Sequence, residues 1–119
     1  MKGGVTLLFF VLLLASCNNP TTNKAEIENA ETQESYKPQK HVVEIKDMKF
    51  VPDDIKVHKG DIVVWLNKDM VAHDVTEDNK AWASSPIASE ASWQKEFTES
   101  ASYYCSIHVV MKGKVTVEE

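Results

Sequence analysis

The sequence predicts a small all-β sandwich of about seven short strands. Three observations carry that expectation. Apolar and polar residues alternate over short runs, turn-forming residues separate those runs, and no convincing long helix can be drawn in the folded part. The runs lie between His41 and Glu119, 79 residues of a 119-residue chain. No internal repeat is evident.

The elements follow in order. Val43 and Ile45 alternate with polar neighbours; Met48 and Phe50 continue on the opposite parity, which predicts a bulge or kink near Asp47. Ile55 and Val57 form a second run, closed by Lys59-Gly60-Asp61. "IVVWL" is apolar on both faces, as a central strand should be. "VAHDVT" puts His73 on the parity of Val71 and Val75, the expected inward face. An irregular stretch from Glu77 to about Ser92 precedes strands at "WQKEF", "SYYC" and "KVTVE". Trp65 and Trp93 are expected in the core. Trp82 either flanks a site or seals an edge. His41 and His58 are expected at the surface, and Asp69, Asp74, Glu77 and Asp78 as a solvated acidic rim.

Ahead of this domain the chain changes character. Residues 1–16 have one lysine, an apolar run from Val5 to Ala15 and then small residues, the layout of an export signal. That run is shorter than the roughly 20 residues a permanent membrane helix needs. Leu14-Ala15-Ser16-Cys17 resembles the lipobox of bacterial lipoproteins, which implies a lipid on Cys17 that anchors the chain to a membrane. An ordinary cleaved signal with an incidental cysteine is the alternative. Residues 17–40 are polar, with almost nothing to bury, and are expected to be a flexible tether, wandering about 25 Å. Without the signal, 12 basic residues face 18 acidic ones, a net charge of −6. That sign speaks against nucleic acid as a partner.

Setting Cys17 aside leaves Cys105 as a lone thiol in an exported protein, where cysteines are ordinarily paired. A domain of this size buries only about 60% of its unfolded surface, and exported domains this small usually add a disulfide or a metal. Only the metal is left here. His73 and, at three-residue steps, Cys105, His108 and Met111 could meet at one end of a sandwich. Two imidazoles, a thiolate and a weak thioether are a donor set suited to copper in both oxidation states. Each residue also has a plain reading: a small buried hydrophobe for Cys105, a loop histidine for His108, a core cap for Met111, and a hydrogen-bonded core residue for His73.

"GDIVVWLNKDMVAHDVT" and "FTESASYYCSIHVVMKGKVTVE" together resemble the two signature halves of the plastocyanin-like cupredoxins, and the Cys105, His108, Met111 spacing is similar to the short ligand loop of amicyanin-type members. The likeness implies an eight-stranded Greek-key β-sandwich with one type 1 copper ion. It further implies that His73, Cys105 and His108 are equatorial ligands, that Met111 is the axial one, and that the chain shuttles single electrons between redox partner proteins outside the cytoplasm. The expected unit is a monomer and not an enzyme. Some features depart from the family pattern. Asp74 stands where many relatives have Asn, so a side-chain link between the ligand loops should differ in charge. Residues 106–107 and 109–110 flank His108 where relatives often have proline. The segment from Phe97 to Cys105 is two residues shorter and lacks a turn glycine, which suggests an abbreviated hairpin. A copper carrier or buffer would use the same ligands. A thiol enzyme, with Cys105 activated by His108, would leave Met111 and His73 without a role.

Overall fold

In the computed structural model, which describes residues 3, 4 and 34–119, alternating polarity becomes alternating burial. The rest of the signal segment, Cys17 and most of the expected tether lie outside the described residues. The strands are β1 (Lys40–Lys46), β2 (Lys49–Val51), β3 (Asp54–His58), β4 (Ile62–Asn67), β5 (Thr76–Glu77), β6 (Ser92–Glu96), β7 (Ala101–Tyr104) and β8 (Lys112–Glu118). They form two four-stranded sheets, ordered β2-β1-β4-β6 and β3-β8-β7-β5. Two pairs are parallel, β1 with β4 and β3 with β8, so each sheet is mixed. The compact unit runs from Tyr36 to Glu119.

β4 is central, between β1 and β6, as its two-sided apolar character requires. Val63 and Trp65 point into the core, where Trp65 meets Tyr103 edge-on at 5.3 Å between ring centroids and lies 5.5 Å from Trp93. Trp82 stacks on Trp93 and meets Phe97 edge-on, with the Lys95 ammonium 5.2 Å above its ring. It therefore seals an edge of the sandwich. Gly113 pairs with Tyr103 across β7 and β8, and a Cβ there would overlap the phenol ring. Tyr103 Oη and Trp65 Nε1 are both buried without a partner that meets hydrogen-bond geometry.

Three expectations about the strands need correction. The parity switch after Ile45 is a two-residue hairpin and not a bulge: Asp47 and Met48 have φ of 53° and 59°, and Ile45 pairs with Phe50 across the turn. Two successive left-handed residues give the turn twist that matches the strands, and the even-numbered register brings both apolar side chains to one face. "VAHDVT" is mostly loop. Val71 is exposed, and only a bridge from His73 to Ile87 and the short β5 pair with other segments. Between Phe97 and Cys105 there is no hairpin, because β6 and β7 belong to different sheets. Four residues suffice for that crossing because Phe97 exchanges backbone bonds with Gly60 and Asp61, and Ser100 Oγ accepts from Val117 N.

Asp61 closes the end of the sandwich where β4 begins. Its fully buried carboxylate accepts from the Tyr36 hydroxyl, Gln39 N, His41 Nε2 and His58 N. Burial alone would raise its pKa, but these bonds outweigh it and hold the carboxyl well below the usual range. His41 is thus half-buried and tied down, while His58 is exposed as expected.

Candidate metal centre

The opposite end, about 20 Å away along β4, is built from two loops. The first leaves β4 through Asn67, a buried amide whose Nδ2 donates to the carbonyls of Val71 and Ile87 at 2.8 and 2.9 Å. Its Oδ1 accepts from Asp69 N. One side chain thus shapes the whole turn leading to His73. The stretch expected to be irregular turns back and braces this loop: His73 and Ile87 exchange backbone bonds of 3.2 and 2.6 Å, and Val75 N donates to Ser84 Oγ. His73 is left fully buried.

The second loop joins β7 to β8. Cys105 N donates to the Met111 carbonyl at 3.1 Å, and Met111 N donates to the His108 carbonyl at 3.0 Å. Three-residue spacing closes a tight turn, so the thiol, imidazole and thioether residues belong to one compact unit. Cys105 is a fully buried free thiol, Met111 is also buried, and His108 is half-buried.

The loops bring three donors together. Cys105 Sγ lies 3.7 Å from His73 Nδ1 and 4.0 Å from His108 Nδ1, and all three donor atoms fall within 4.8 Å of one another. Donors bound at about 2.0–2.3 Å to one ion in a trigonal plane stand roughly 3.8 Å apart, so the spacing fits a single shared ion. Asp74 N donates to Cys105 Sγ at 3.4 Å, so the backbone of the first loop reaches the sulfur of the second. Neither histidine–sulfur contact is a good hydrogen bond at these lengths.

Two of the four residues expected on an acidic rim turn inward. Asp74, only 6% exposed, accepts from Ser106 N at 2.6 Å, from Ser106 Oγ and from Thr76 Oγ1, so it links the loops through a carboxylate. Asp69 accepts from His73 Nε2 at 2.9 Å and from the backbone of the β1–β2 turn. Burial pushes its pKa up, but the N–H groups of Met48 and Asp47 and the hydrogen bond and charge of His73 together lower it. Periodicity assigns both to the surface; the one available signal was their closeness in sequence to His73. Asp78 is exposed, as expected.

Residues 37–118 match the sequence profile of the copper-binding proteins of the plastocyanin/azurin family. The chain belongs to that family. It is 32% identical over 84 residues to amicyanin of Paracoccus denitrificans, a match covering 65% of this chain and 64% of the relative, and 30% identical over 86 residues to amicyanin of Paracoccus versutus. The chain thus spans about 64% of the length of these curated relatives. Among solved structures it resembles a reduced Cu(I) form of an amicyanin variant at pH 4, with a TM-score of 0.61, 31% identity and coverage of 65% of this chain and 80% of that one. A Cu(I) form of another amicyanin variant gives a TM-score of 0.64 at 28% identity, covering 71% and 87%. The all-β sandwich of eight strands, the likeness to amicyanin and copper as the cofactor of this cupredoxin agree with the reading of the sequence.

Proposed function

We propose that this cupredoxin is a type 1 copper protein that passes single electrons between redox partner proteins outside the cytoplasm, with Cys17 as its lipid anchor. The observation that carries the reading is the triangle of Cys105 Sγ, His73 Nδ1 and His108 Nδ1, built from two braced loops. His73, Cys105 and His108 would hold the ion, and Met111, pinned by the same loop, would be a further, weaker sulfur donor. Copper there supplies a reversible one-electron change. The chain keeps the donors in one arrangement whichever oxidation state is present: Asn67 and Ile87 fix the His73 loop, and Asp74 ties that loop to the residue after Cys105.

His108 is the donor residue with solvent access. Around it Ile107, Val109 and Val110 are exposed, Val110 to 82%, whereas Met111 is buried. An apolar collar of this kind suits small, brief redox encounters burying under about 1,200 Å². Such transfer makes the chain a carrier rather than an enzyme.

The test is direct. Cu(II) added to the purified full chain should give an intense blue or green colour that ascorbate bleaches and oxidant restores. A colourless complex, or one that loses its copper on reduction, would overturn the reading; the second result would support copper delivery instead.

A further inference from the structure

We propose that Asp69 is a positioning residue for the metal centre: its carboxylate orients the His73 ring through Nε2 while clamping the β1–β2 turn, and it sets a negative charge behind that ligand. Asp69 Oδ1 accepts from Asp47 N at 2.8 Å, and Oδ2 accepts from Met48 N at 3.0 Å and faces His73 Nε2 at 2.9 Å. A carboxylate only accepts hydrogen bonds, so the proton of a neutral His73 sits on Nε2. The lone pair is then on Nδ1, the atom 3.7 Å from Cys105 Sγ. Ring orientation and tautomer are chosen before any ion arrives.

The clamp has a local origin. Asp47 and Met48 both have positive φ, so their successive N–H groups point to one side and form a small anion-binding concavity. The Asp69 side chain, 15% exposed, fills it, and Asn67 fixes the Asp69 backbone through Oδ1. A turn in one segment is thereby joined to a ligand in another through a single carboxylate. Histidine ligands whose second nitrogen donates to a carboxylate become more basic donors, and losing such a partner typically weakens metal binding 10–100-fold. The added negative charge favours Cu(II) over Cu(I).

This inference rests on the copper reading for its electrochemical part only. Long-range 1H–15N NMR of the metal-free full chain should show His73 as the Nε2–H tautomer alone. In Asp69→Ala the tautomers should mix, and the amides of Asp47 and Met48 should exchange with solvent at least tenfold faster. Asp69→Asn keeps an oxygen acceptor without the charge. It should retain the tautomer, yet lower the ratio of Cu(II) to Cu(I) affinity about tenfold, an upward shift of about 59 mV for a one-electron couple. An Nδ1–H tautomer in the unaltered chain, or an unchanged tautomer in Asp69→Ala, overturns the positioning role. Should Asp69→Ala not fold, the unaltered chain and Asp69→Asn still decide. An unchanged potential in Asp69→Asn overturns the role of the charge. If the unaltered chain forms no coloured copper complex, the function proposed above fails while the NMR result stands.

Discussion

Ser106 N donates to Asp74 Oδ1 at 2.6 Å, so the residue following one sulfur or nitrogen donor holds the residue following another. The Ser106 hydroxyl bonds the second carboxylate oxygen, and the Asp74 amide in turn points at Cys105 Sγ. Asp74→Ala should lower stability by about 1–3 kcal/mol, because buried donors lose their acceptor. Asp74→Asn, which keeps one acceptor oxygen, should cost less. Urea midpoints for the two variants check the order; an alanine variant as stable as the unaltered chain would mean the link is incidental.

Asp61 should govern the acid limb of stability. Its folded pKa lies below the ordinary value near 4, so its contribution is complete above that value and is lost as pH falls from about 4 towards the folded value. Asp61→Asn should be less stable at pH 7 and should show a shallower loss between pH 5 and pH 3. Parallel stability curves for the two proteins over that range would refute the assignment.

Tyr103 sets an alkaline counterpart. Burial raises its pKa to about 12, with the charges of Asp53 and Asp54 adding to the effect and the Trp65 indole N–H opposing it. The phenol's contribution is fully present below the unfolded value near 10 and is lost as pH rises from there through about 12. Its hydroxyl has no well-aligned partner. Tyr103→Phe should therefore be close to neutral at pH 7, or stabilising, and should resist alkaline unfolding better. A loss of more than about 2 kcal/mol at pH 7 would instead reveal a hydrogen bond that the hydroxyl makes.

Val110, on the collar beside His108, offers a test that needs no known partner. Electron self-exchange between two copies of the loaded protein brings two collars together. Val110→Glu puts like charges across that contact and should slow self-exchange about tenfold at low salt, with the colour unchanged. NMR line broadening in mixtures of oxidised and reduced protein measures it. An unaltered rate would place the contact elsewhere on the surface.

Much of this molecule was legible in one dimension. Residue parity located β1, β3, β6, β7 and β8, since a strand with one face in the core must alternate, and a run apolar on both faces located the central β4. The three-residue steps from Cys105 to Met111 marked a compact loop, and residue type singled out His73, Cys105 and His108, whose donor atoms the two loops bring together, although the strand parity assigned to His73 did not hold. Their chemistry is carried by residue type, which folding does not alter. The tertiary structure decided what depends on a partner distant in sequence. Asp47 and Met48 form a hairpin rather than a bulge because Ile45 meets Phe50. Phe97 leads into the other sheet because Asp61 and Gly60 bind its backbone. Asp61, Asp69 and Asp74 are buried or turned inward because N–H groups from other segments donate to their oxygens. A carboxylate's cost of burial is set by donors that arrive only when the chain folds, and no local pattern records where those donors will be.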